Sequence, residues 1–142
     1  MNTELSEFRA FYEQLQSSSL SQLPSVYSED VRFIDPVAEH HGLDALDTYF
    51  GRLLENCGEC RFTIHSCVLQ GQQGFVTWTM IFSHPKVKKG AMICVDGCSE
   101  IMLNTEQKVC QQRDYYDLGA MLYQHLPLIG PVINWLKKRL NS

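Results

Sequence analysis

Gly74-Phe75-Val76-Thr77-Trp78-Thr79-Met80-Ile81-Phe82-Ser83-His84 is the stretch on which the fold class turns. Val76, Trp78, Met80 and Phe82 fall on one side of an extended chain, and Thr77, Thr79 and Ile81 on the other. That alternation is the mark of a strand with one face in a core. The same rhythm begins at Arg61, giving strands over 61–70, 74–84, 90–103 and 108–117. Turn-prone Gly71-Gln72-Gln73-Gly74, His84 to Gly90 and Asn104 to Gln107 separate them, so an antiparallel meander is expected.

Upstream of Arg61 the spacing becomes helical. Leu5, Phe8, Phe11, Tyr12 and Leu15 predict a helix over 4–16 with Thr3 or Ser6 as its cap, ended by Ser17-Ser18-Ser19. Leu20, Leu23, Val26 and Tyr27 predict a second, short helix with Pro24 in its first turn, and Ser28-Glu29-Asp30 turns the chain. Val31 to Asp35 reads as a short strand stopped by Pro36, which cannot donate to a ladder. After a loop at Glu39-His40-His41-Gly42, the spacing of Leu43, Leu46, Tyr49, Phe50, Leu53 and Leu54 predicts a third helix closing near Cys57-Gly58. Helices followed by hairpin-linked strands give an α+β layer.

With 142 residues and 44% hydrophobic content, the chain suits one domain over 1–142, with a core at 1–117 and a helical extension at 118–142. The net charge of -4, with cations scattered except at Lys137-Lys138-Arg139, offers no broad basic face, so no nucleic-acid partner is expected. The polar, acidic start lacks the basic and apolar runs of a signal peptide, and a cytoplasmic location is expected. The six cysteines are then read as reduced core residues. In the extension, Leu118, Met121, Leu122, Leu126, Ile129, Ile133, Leu136 and Leu140 recur helically, broken by Pro127, Gly130 and Pro131. Two readings stand: a helix packed across the sheet or the pocket mouth, and an interfacial helix making weak contact with anionic lipid.

Val26-Tyr27-Ser28-Glu29-Asp30-Val31-Arg32-Phe33-Ile34-Asp35-Pro36, followed by Gly42 and an amphipathic helix, resembles the SnoaL-like and nuclear-transport-factor-2-like superfamily with its ketosteroid-isomerase-like fold. The resemblance runs nearly to Asp117. It implies a cone-shaped, curved, mostly antiparallel sheet on which three N-terminal helices pack to enclose a pocket, with a homodimer formed through the sheet. In ketosteroid isomerases the aspartate before this proline is a general base, which places that role on Asp35; that enzyme is a worked example of tuned carboxyls. A carboxylate at a strand end opening into an apolar cavity gains proton affinity by desolvation. The alternative is that Asp35 only starts a turn.

The isomerases' oxyanion hole is not reproduced. Its tyrosine position falls on Phe11, with Tyr12 one residue on, and its acid falls on Ser99. On the last strand Gln112, Asp114 and Tyr116 share a face that the family register turns inward, so Asp114 becomes a second carboxyl able to act with Asp35. An ion pair between Asp114 or Asp117 and Arg113 or another basic group is the competing reading. Candidate catalytic residues are thus Asp35, Asp114 and Tyr116. Candidate ligand-binding residues are Phe11, Tyr12, Phe33, Phe50, Trp78, Met80, Phe82, Ser99 and Gln112.

Cys57-Gly58-Glu59-Cys60 with Cys94 and Cys98 makes a poor zinc set, because the second pair is separated by about 13 Å along a strand at roughly 3.3 Å per residue. His40-His41 reads as a solvated loop or a pocket rim. No phosphate-cradling Gly-rich loop, nucleophile elbow or HExxH helix occurs, so no cofactor and no metal are expected. The function expected is binding of a small apolar ligand of polyketide-like, terpenoid or fatty-acyl type. A small isomerase, cyclase or hydrolase using the pocket aspartates is the alternative, and a dimeric interaction scaffold the third.

Overall fold

The computed structural model describes residues 5–121 and 129–141. In chain order its elements are α1 (Ser6–Glu13), a 3-10 turn (Ser17–Gln22), α2 (Leu23–Val26), β1 (Tyr27–Ile34), β2 (Glu39–His41), α3 (Leu43–Asn56), β3 (Glu59–Gln70) and β4 (Gln73–Ser83). A short 3-10 turn (Lys88–Gly90) then leads to β5 (Ile93–Leu103), β6 (Val109–Tyr116), α4 (Leu118–Met121) and α5 (Ile129–Leu140). The α+β class and the curved sheet with helices laid on it are as expected.

One six-stranded sheet runs in the order β2-β1-β6-β5-β4-β3. Strands β3 to β6 form the antiparallel meander, while β1 lies parallel to β6, so the first strand sits beside the last in an open sheet with β2 and β3 at its edges. The sequence pattern carries no trace of that parallel pairing.

Four local expectations are corrected. Tyr27 begins β1 and does not end a helix, and Ser28-Glu29-Asp30 lies within that strand. A register shift between Tyr27 and Arg32 explains the misleading polar run, because an irregular stretch breaks the inside-outside alternation. Residues 39–41 pair with β1 as β2, where a loop was expected. Helix α1 ends at Glu13, short of residue 16, and its N-cap position is Leu5; Thr3, Leu122, Leu126 and Pro127 lie outside the described residues. Finally, only the first part of the extension packs as expected: α4 meets β5 and brings Met121 to the cavity, whereas α5 buries only Gly130 among the described residues.

The core forms where one face of each helix meets the concave side of the sheet. Phe8, Phe11 and Tyr12 of α1 and Leu46 and Phe50 of α3 are buried against Val31, Phe33, Val76, Trp78 and Ile101. Helix α3 starts at Gly42, whose φ of +87° suits glycine and whose N–H donates to the carbonyl of Val31 at 2.7 Å. That bond fixes how α3 leaves the sheet, and so where Tyr49, Phe50 and Leu53 meet the cavity.

Candidate functional site

Strand register builds the site. Val76, Ser99 and Asp114 stand opposite one another across β4, β5 and β6, as do Trp78, Gly97 and Tyr116 in the next row. Phe33 stands opposite Gln112 across β1 and β6, and Gln112 opposite Ile101. Residues paired in this way point to the same face of a sheet. The concave face therefore carries an apolar field with three polar residues, Ser99, Gln112 and Asp114, set in its middle.

At position 97 only a glycine fits. A Cβ there would lie 2.2 Å from the Trp78 ring, so the indole rests directly on the β5 backbone. Trp78 then donates its N–H to Ser99 Oγ at 2.9 Å.

Ser99 donates its O–H to Asp114 Oδ1 at 2.5 Å, and Gln112 Nε2 donates to the same oxygen at 2.8 Å. The remaining bonds of Gln112 close a loop: Tyr27 O–H donates to Gln112 Oε1 at 2.6 Å, and Gln112 Nε2 donates to Tyr12 OH at 3.1 Å. Because the Tyr27 proton is spent on Gln112, Tyr12 must be the donor in its 2.7 Å contact with Tyr27. Every donor of the buried cluster is thus committed. Asp114 receives two of them on Oδ1, and its Oδ2 has no hydrogen-bond partner among the described residues. A proton taken up by this carboxyl must therefore go to Oδ2.

Burial raises the Asp114 carboxyl to about 6; the bonds from Ser99 and Gln112 oppose the rise, and the charge of Asp35 adds to it. Burial likewise pushes the Tyr116 phenol up, with the charges of Asp35 and Asp114 adding to the effect. Tyr116 is therefore a neutral O–H at physiological pH.

Asp35 follows the end of β1 and is buried. Its Oδ1 accepts the N–H groups of Val37 at 2.8 Å and Ala38 at 2.9 Å, and its Oδ2 accepts Tyr49 O–H at 3.1 Å. One oxygen of Asp35 thus serves the turn, and the other meets Tyr49 where both residues line the cavity.

These groups line a cavity of about 220 Å³ walled by Tyr12, Phe33, Tyr49, Phe50, Phe62, Trp78 and Met80, with Asp35, Asp114 and Tyr116 as its polar members. Met121 of α4 also reaches it. Phe11 and Phe82 are buried in the core without lining this cavity. Ser99 and Gln112 act from behind Asp114.

Sequence reasoning missed Tyr49, Leu53 and Phe62, which also line the cavity. The helical spacing of Leu46, Tyr49, Phe50 and Leu53 carried the signal for the first two. For Phe62 the signal was the pairing of β3 with β4, which sets it opposite Met80. The ion-pair reading holds for Asp117, which pairs with Lys137 at 3.8 Å, and not for Asp114, which Ser99 and Gln112 hold among the described residues. Cys60 is pushed up to about 12, chiefly by burial, so its thiol stays protonated. Among the described residues, no three His, Cys, Asp or Glu side chains are grouped to hold a metal.

Solved structures share this architecture. A protein of unknown function with the nuclear-transport-factor-2-like fold from Burkholderia pseudomallei is 16% identical, with a TM-score of 0.74 over 85% of this chain and 95% of its own. A ketosteroid-isomerase-like protein from Catenulispora acidiphila, in complex with trimethylamine, is 12% identical, with a TM-score of 0.72 over 88% of this chain and 92% of its own. TerC, co-crystallised with polyporic acid, is 15% identical, with a TM-score of 0.72 over 84% of this chain and 95% of its own. Identities this low speak for the fold alone. No curated protein matches the sequence. A family model described as the SnoaL-like domain matches residues 8–111, and the chain belongs to that family.

Proposed function

We propose that the cavity binds a compact apolar molecule carrying a carbonyl or hydroxyl group. The observation that carries this reading is one aromatic-walled cavity that holds Asp35, Asp114 and Tyr116 at defined positions. Apolar walls with a few placed polar groups are the usual composition of small-molecule sites. At about 220 Å³ the cavity lies below the roughly 300–1,000 Å³ of drug-sized sites, which favours a compact terpenoid, a small polyketide-like ring or a short acyl chain over a polycyclic skeleton. Relatives crystallised with trimethylamine and with polyporic acid support small-molecule binding as the use of this fold.

Native mass spectrometry of the purified chain, followed by extraction of any bound molecule, tests the proposal. The expected result is a defined apolar ligand whose retention falls in Asp35→Asn and Asp114→Asn. Trp78 forms part of the wall, so its fluorescence in a Trp135→Phe background should also respond to added ligands. An empty chain that binds no member of an apolar ligand library would overturn the reading and favour a scaffold.

A second reading has a specific observation in its favour. Asp114 is poised near 6 with one uncommitted oxygen, and Tyr116 O–H has no hydrogen-bond partner among the described residues. Asp114 Oδ2 would take a proton from carbon next to a carbonyl, and Tyr116 would donate to the oxyanion that develops. Ser99, Gln112 and Tyr12 are unsuited to that donor role because their protons are already used. Deuterium uptake from D₂O into a bound ketone, read by mass spectrometry, should rise with pH through about 6 and vanish in Asp114→Asn. Uptake unchanged in that variant would exclude Asp114 as the base.

A further inference from the structure

Helix α5 departs from the rest of the chain in two ways. It buries almost nothing, and it contains no acidic residue although the chain as a whole carries a net charge of -4. At about 100° per residue, Ile129, Val132, Leu136 and Leu140 project within one narrow sector, and all four are exposed. The stripe is about 18 Å long, from twelve residues at about 1.5 Å each.

Lys137 and Arg139 leave the last turn on the two sides of that stripe, Lys137 also lying 3.8 Å from Asp117, while Lys138 projects from the opposite face. Trp135 sits at its border, 57% exposed, with the Arg139 guanidinium 5.5 Å from the centre of its ring. An aliphatic strip, a border tryptophan and flanking cations are what a helix needs to lie in the headgroup region of an anionic bilayer. Among the described residues no helix is long and apolar enough to cross a membrane, so the contact would be parallel to the surface.

Charge decides the occupant. Two copies of α5 laid together have no acid to set against the cations: in parallel the Lys137-Lys138-Arg139 turns repel, and in antiparallel each faces Ile129 to Asn134, which is uncharged. We propose that α5 is a docking helix for an anionic lipid surface. Its stripe enters the acyl boundary while Lys137 and Arg139 meet lipid phosphates and Lys138 adds to the positive field of the turn.

Sedimentation of the full chain with vesicles tests this. Vesicles of phosphatidylglycerol and phosphatidylcholine should carry the protein down in low salt, with binding falling as salt rises. Vesicles of phosphatidylcholine alone should carry down far less. The triple variant Lys137→Gln, Lys138→Gln, Arg139→Gln should bind on the order of a hundredfold more weakly, since each cation near such a surface contributes roughly a factor of five. Leu136→Asp should release the protein without lowering its thermal midpoint, because the residue is exposed. Brominated lipid should quench wild-type fluorescence, and Trp135→Phe should remove that quenching. Failure of the wild type to sediment with the anionic vesicles, or equal binding by the triple variant, overturns the proposal. So does a wild-type dimer that Leu136→Asp converts to monomer in the absence of lipid, because the stripe then serves a second copy.

Discussion

Asp35 and Asp114 line the same cavity, yet the fold treats them in opposite ways. Asp35 is held on both oxygens, by two backbone N–H groups on one and by Tyr49 on the other. Asp114 is held on one oxygen only, by two side chains that are themselves locked by Trp78, Tyr12 and Tyr27. The difference follows from position. A residue just past a strand end has free backbone donors near it, whereas a residue within a strand has spent its neighbours' N–H groups on the ladder and must rely on side chains. A carboxyl that lacks backbone donors and is buried holds its proton more tightly, as Asp114 does.

The largest test of this contrast is pH-dependent stability. Folding raises the Asp114 carboxyl from about 3.9 to about 6, so its stabilising contribution is full below the unfolded value and is lost as pH rises through the folded one. Asn at 114 mimics the protonated acid, its oxygen accepting from Ser99 and Gln112 and its amide replacing the proton on Oδ2. Urea denaturation should therefore find Asp114→Asn close to wild type near pH 4 and more stable by about 2–3 kcal/mol above pH 7. A constant difference across that window would remove the distinction between the two carboxyls.

A smaller effect is expected at Tyr49. Removing its hydroxyl in Tyr49→Phe deletes one hydrogen bond to Asp35 and should cost about 1 kcal/mol in the same measurement. No change would mean that the two backbone donors alone hold Asp35. The smallest effect concerns the coupling itself. The charge of Asp35 is the least of the causes that raise Asp114, so Asp35→Asn should lower the Asp114 titration midpoint by only a fraction of a unit, read by carbon-13 resonance of its carboxyl. A drop back to the ordinary carboxylate range would show that charge repulsion, not burial, sets the midpoint.

Much of this was legible from the chain because alternation survives where strands are regular. The inward set Val76, Trp78, Met80 and Phe82 is buried as read, and Pro36 does mark the end of β1. Tyr27 was misread because helix α2, with its Pro24, runs straight into an irregular strand start, so neither period holds for long enough to be recognised. The cluster around Gln112 was illegible for another reason. Its members come from α1, β1, β5 and β6, and no spacing within one segment announces a bond between residues 12, 27, 99 and 112. Gln112 itself was singled out as an inward, ligand-binding residue of a mixed strand, whereas its full burial is what turns it into the clamp on Asp114.

Gly97 has a consequence for how this pocket can diverge. Since the indole of Trp78 occupies the space that any side chain at 97 would need, the two positions are bound to change together. A homologue with a side chain at the first should carry a smaller group at the second, and with it a differently shaped cavity. The shape of the cavity in this lineage would then be altered by paired exchanges across β4 and β5, and single replacements at either position would tend to be lost.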